Sequence, residues 1–137
     1  MQFLLNGYTA LLTTMQDLRQ QLRRIREQQF SEVWLEVRDE GPALAMLVNR
    51  THAWLLYLCD QNGDPGFSSR NLQKANSDET MMIQFQLGNG QMDAYPVSWT
   101  LSLEDAFAAC EYFLLNQGER SPAIVWHDDS DSNTTGT

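Results

Sequence analysis

Positive charge is scarce in this sequence: nine Lys and Arg stand against 18 Asp and Glu, leaving a net charge of −9 at pH 7 over 137 residues. A surface of that sign repels phosphate, so nucleic acid is excluded as the expected partner. Long apolar runs are also missing. The longest, Ala53 to Cys59, falls far short of the roughly 20 residues that a bilayer-spanning helix needs. Met1-Gln-Phe-Leu-Leu-Asn-Gly-Tyr8 has no basic residue ahead of its hydrophobic stretch, and no small-residue cleavage site follows. A cytoplasmic chain that begins at Met1 is therefore the expectation. On that expectation Asn49-Arg-Thr51 and Asn133-Thr-Thr135 are chance matches to a glycosylation sequon.

Cysteine is sparse as well. Cys59 and Cys110 each sit inside an apolar run, where a free thiol packs as a small hydrophobe, so a reduced protein is expected and not a disulfide scaffold. The residues of most enzyme chemistries are equally thin. Nucleophilic catalysis needs a positioned base, and the two histidines, His52 and His127, have no motif around them. Zinc is unsupported, with no CxxC and no HxxxH. Asp60, Asn62 and Asp64 imitate the start of a calcium loop. Pro65 then stands where that loop needs Gly, and Asn71 where it needs a bidentate Glu. No phosphate-cradling glycine motif occurs. The expectation is a protein with no catalytic residues, no metal and no cofactor.

What is present is strong periodicity. Thr14-Met-Gln-Asp17 has the form of a capping box and opens a helix with Met15, Leu18, Leu22 and Ile25 on one stripe. Its other face carries Arg19, Arg23, Arg24 and Arg26, read as a solvated cationic face suited to the C-terminal end of the helix dipole. The period then drops to two: Val33, Leu35 and Val37 alternate with Glu32, Trp34 and Glu36, which predicts a half-buried strand. Ala43 to Val48 and Ala53 to Cys59 follow as strands of an antiparallel meander, the second apolar on both faces and so central. Asp60 to Gly66 reads as a loop and Phe67 to Thr80 as an irregular connection. Met81 to Leu87 and Gln91 to Val97 flank Gly88-Asn-Gly90 as a hairpin, Pro96 placing the second arm at an edge. Ser102-Leu-Glu-Asp105 caps a second helix whose stripe is Leu103, Ala106, Phe107, Cys110, Phe113 and Leu114. Ala123 to Trp126 is a last extended segment, with Trp126 packing on the fold.

The order predicts an α+β domain over residues 1–127, with two main helices and a mostly antiparallel sheet of about five to six strands. Residues 128–137 read as a disordered acidic tail. The core takes Leu18, Leu22, Val33, Leu35 and Val37, and Leu35, Leu56, Ile83, Phe85, Phe107 and Phe113 are expected to be buried together. Fifteen of the 18 acidic residues lie in residues 1–127, so the acidity belongs to the folded part.

From about residue 50 to 127 the chain has a recognisable order: Tyr57-Leu58, Asp64-Pro-Gly66, Gly88-Asn-Gly90, Leu101-Ser102, Ala106, Ala109, Tyr112-Phe113, Gly118, Pro122 and Val125-Trp126. This resembles the bacterial immunity-protein family often called Imm-one, encoded beside polymorphic toxins, especially nucleic-acid deaminase toxins of the SCP-like type. The arginine-bearing first helix and the acidic tail lie outside the resemblance. The resemblance implies a cytosolic antitoxin, without catalytic residues of its own, that occupies the active site of a cognate toxin. A secretion chaperone or adaptor that escorts a partner without inhibiting it is the alternative, and a small-molecule binding domain a third class.

Acidity agrees with a partner whose substrate groove is cationic. The partner surface is expected on acidic and aromatic groups turned away from the helices: Trp34, Glu36, Asp39, Glu40, Asp60, Asp64, Asp93 and Tyr95.

Overall fold

The structure, a computed structural model, describes residues 1–38, 40–74 and 81–130. The chain opens on a hairpin that is not among the elements predicted above. Strands β1 (Gln2–Leu5) and β2 (Tyr8–Leu11) form a hairpin around Asn6-Gly7, with Leu5 paired to Tyr8. Both loop residues have positive φ, 50° and 89°, the conformation that a two-residue turn requires and that Asn-Gly adopts most readily.

Helix α1 (Met15–Arg26) begins at Thr14 with both halves of the predicted capping box formed. Asp17 Oδ2 accepts from the backbone N–H of Thr13 and Thr14 at 3.0 and 3.1 Å. These bonds hold the Asp17 carboxyl below the usual range, the Thr13 backbone bond contributing most. Strands β3 (Phe30–Glu36), β4 (Ala43–Asn49) and β5 (His52–Leu58) make the expected meander. Phe67–Arg70, expected to be irregular, is strand β6. The β7 (Met82–Gln86) and β8 (Met92–Pro96) hairpin forms as predicted, followed by the short strand β9 (Leu101–Ser102), helix α2 (Leu103–Leu115) and β10 (Val125–Asp128). Ser102 caps α2, its hydroxyl accepting from Asp105 N–H at 3.2 Å.

The fold is α+β with a mostly antiparallel sheet, but it has more strands than the five to six expected. Among the described residues eight strands form one sheet in the order β10-β6-β5-β4-β3-β1-β2, with β9 also paired to β5. The β7–β8 hairpin forms a separate two-stranded sheet, in which β8 pairs only with β7 and is an edge strand, as Pro96 predicts. Strand β10 runs two residues further than expected. Asp129 is fastened beyond it: its N–H donates to Gly66 O at 3.0 Å and its carboxylate accepts from Ser68 Oγ at 2.9 Å. The rest of the expected tail, residues 131–137, lies outside the described residues.

Alternation along the strands sorts their side chains into two cores. Phe3, Val33, Leu35, Met46, Leu55 and Tyr57 face the two helices and pack with Leu18, Leu22, Ile25, Phe107 and Phe113. Val37 is only partly buried against this cluster. On the opposite face Leu47 and Trp54 pack with Phe85 from the hairpin, and Leu56, Ile83 and Tyr95 are half-buried around them. The six residues expected to be buried together are therefore divided by the sheet. Leu35, Phe107 and Phe113 lie on the helix side; Phe85, Leu56 and Ile83 lie on the other. Trp126 packs as expected, donating its indole N–H to Ser121 O at 2.8 Å beside the Tyr57 ring.

Candidate functional site

The hairpin is fixed over only part of the sheet's second face. It lies across β3 and β4, held by Asn49 Nδ2 donating to Gln84 O at 2.8 Å and Gly88 N–H donating to Glu32 Oε1 at 2.9 Å. Beside it remains a groove of about 160 Å³. Its floor is Ala45, Leu47 and Leu56 from β4 and β5; its aromatic walls are Trp34, Trp54 and Tyr95. Two carboxylates, Glu32 and Asp93, open into it.

Period-two geometry puts these groups there. Trp34 and Glu32 are two apart on β3, so both leave the face opposite Val33 and Leu35. Trp34 pairs with Ala45, and Ala45 with Leu56, giving one row across the sheet. Asp93 and Tyr95 are likewise two apart on β8 and turn toward the sheet. The Tyr95 ring stacks on Trp54 at 4.4 Å and on Trp99 at 5.8 Å between centroids. Arg70 completes the column, its guanidinium 3.8 Å from the Trp99 ring centre. Burial raises the Tyr95 phenol pKa first, and the negative charge of Asp93 raises it further.

The carboxylates of the groove carry hydrogen bonds but no ion pair among the described residues. Glu32 Oε2 accepts from the Trp34 indole at 3.4 Å and Asp93 Oδ1 from Gln91 Nε2 at 3.0 Å. Neither is within ion-pair reach of a Lys or Arg; the Arg pairs run to Glu111 and Glu104.

Of the eight expected partner residues, Trp34, Asp93 and Tyr95 are thus brought together. Glu36 lies one row further along the same face, half-buried. Glu40 is exposed in the following turn at φ 62°, and Asp60 and Asp64 lie in the loop after β5. These two loops sit at one end of the sheet and are tied by Gln61, whose side-chain amide donates to Gly41 O at 3.2 Å. Asp39 lies outside the described residues. Asp64 is committed to the fold: Oδ2 accepts from Cys59 N–H at 2.7 Å and Oδ1 from Gly66 N–H at 3.0 Å. Glu32 and Trp54 belong to the groove and were missed. The signal for Glu32 was available, since it shares the alternation that singled out Trp34; Trp54 sits in a run apolar on both faces, where alternation is silent.

A second cleft, of about 440 Å³, runs between the helices and is lined by Arg19, Arg23, Arg26, Leu22, Phe107 and Glu111. Its arginines are partly spent, Arg19 on Glu111 at 3.0 Å and Arg26 on Glu104 at 3.4 Å. Elsewhere, burial pushes the Cys110 thiol up to about 12 and raises that of Cys59, which leaves both protonated at neutral pH. His52 and His127 lie on different strands, and no cluster of three His, Cys, Asp or Glu able to hold a metal occurs among the described residues. No helix is long and apolar enough to cross a membrane. Neither the models of known protein families nor the sequences of curated proteins give a match to this chain.

Proposed function

We propose that this chain is an immunity protein that binds a cognate bacterial toxin, a nucleic-acid deaminase, and neutralises it by covering its active site. The single observation that carries the reading is the groove beside the β7–β8 hairpin, where Trp34 and Tyr95 stand with two carboxylates without a cationic partner among the described residues. Its volume of about 160 Å³ is below the roughly 300 Å³ at which small-molecule sites begin. It suits one or two side chains inserted from another protein. Half-buried aromatic anchors ringed by charge are what a protein interface requires at its centre and rim. A toxin that handles nucleic acid presents a cationic groove, and an acidic partner is drawn to it over several ångströms before contact.

The test is co-expression in bacteria with the toxin domain encoded by the neighbouring gene. Growth restored by this chain, and deaminase activity titrated to zero at one equivalent in vitro, is the expected result. Binding without loss of toxin activity would replace inhibition by escort, the behaviour of a secretion chaperone or adaptor. A neighbouring gene of metabolic function, with no binding, would remove the reading.

A further inference from the structure

The geometry points to the groove beside the β7–β8 hairpin as a receptor for a single arginine side chain of the partner protein, the guanidinium stacking on Trp34 and pairing with Asp93, with the edge of Tyr95 as a further wall. This rests on the interaction function proposed above and names the chemistry that the groove selects. Three observations carry it.

The first is wall chemistry. Flat π-faces attract a cation through the ring quadrupole, and a planar guanidinium stacks on them where a compact ammonium does not. The second is charge. Glu32 and Asp93 face the groove without a Lys or Arg partner among the described residues, on a protein of net charge −9. An inserted apolar side chain would strip water from these carboxylates and return nothing, and a neutral amide or hydroxyl would return hydrogen bonds without charge, whereas a guanidinium meets a carboxylate with directed, charge-assisted hydrogen bonds. The third is precedent within the molecule. The aromatic column Trp54–Tyr95–Trp99 is capped at its far end by the chain's own Arg70 at 3.8 Å, and Arg120 lies equally close, 3.8 Å, over Phe67. The same column reaches the groove through Trp54 and Tyr95.

The experiment uses the full chain, labelled with ¹⁵N, and blocked tri-arginine, tri-lysine and tri-citrulline peptides as probes, read through the four indole N–H signals. Tri-arginine should move the Trp34 and Trp54 signals saturably and leave Trp126 in place. Tri-lysine should bind about fivefold more weakly. Tri-citrulline, which keeps the shape and loses the charge, should not bind. Asp93→Asn should weaken tri-arginine about fivefold with the indole signals of the free protein unmoved, and Trp34→Phe, which keeps an apolar ring, serves as the second variant. Equal affinity for arginine and lysine, shifts confined to Trp126, no saturable shift, or full affinity in both variants overturns the proposal. The two readings fail separately. If Asp93→Asn loses arginine capture and still neutralises the toxin, immunity stands on other contacts and the arginine proposal falls as its basis. If the native chain captures arginine and fails to protect cells, the immunity function alone falls.

Discussion

The Tyr95 ring lies flat on the Trp54 indole, centroids 4.4 Å apart and planes within 5°, and this contact joins the β7–β8 hairpin to β5, the last strand of the meander. With Phe85 fully buried beneath it, it shapes the groove to which the function is assigned.

Removing the buried ring should undo that attachment. Phe85→Ala is expected to cost about 3–5 kcal/mol, read from urea unfolding. Phe107→Ala, on the helix side of the sheet, should cost a similar amount, and only Phe85→Ala should abolish arginine capture while the domain stays folded in water. Trp54→Phe should be the mildest of the three, because the buried Trp54 indole N–H has no acceptor among the described residues and its loss breaks no hydrogen bond.

Two glycines with nearly the same backbone angle should respond differently to alanine. Gly63, at φ 81°, has open space where a Cβ would stand, so Gly63→Ala should cost only the left-handed penalty of about 1–2 kcal/mol. Gly66, at φ 82°, would place its Cβ 2.5 Å from Tyr57 O and 2.7 Å from Leu58 Cδ2. Because one obstacle is backbone between paired strands, Gly66→Ala should cost on the order of 3 kcal/mol or more. Equal unfolding midpoints for the two variants would refute the assigned packing of the β5–β6 loop.

Burial, and next the charge of Lys74, hold the His52 imidazole below its ordinary pKa. The folded state therefore favours the neutral ring, and the unfolded chain protonates first as pH falls through about 6.5. The contribution of His52 is fully present above that pH and is lost as pH falls toward the folded value. Urea midpoints measured at pH 7.5 and 5.5 should drop more for the native chain than for His52→Gln.

Charge reversal at the loop end of the sheet should act on association rate. Glu40→Lys with Asp60→Lys is the informative pair, because Asp64 uses both carboxylate oxygens to build its own turn and its replacement would confound folding with binding. At low salt the double variant should associate with the toxin about tenfold more slowly and show a flatter salt dependence. An unchanged rate would remove this end of the sheet from the interface.

Much of the architecture was determined by the sequence alone. The capping box at Thr14 and Asp17, the period-two alternation from Glu32 to Val37, the Gly88-Asn-Gly90 turn and the stripe of α2 are local patterns, because caps, pleats and turns are set by residues within a few positions of one another. The Asn6-Gly7 hairpin is equally local, its turn set by two adjacent residues at positive φ. Only the tertiary structure could decide the rest. Phe67–Arg70 is a strand because β5 and β10 offer it hydrogen-bonding edges, and nothing in Phe-Ser-Ser-Arg encodes that. Whether Phe85 joins Phe107 or lies across the sheet from it depends on which face the hairpin covers, a relation between residues distant in sequence. The groove has the same origin: alternation turns Trp34 outward and Asp93 and Tyr95 to one face of their hairpin, but docking that hairpin on β3 and β4 is what makes those residues neighbours.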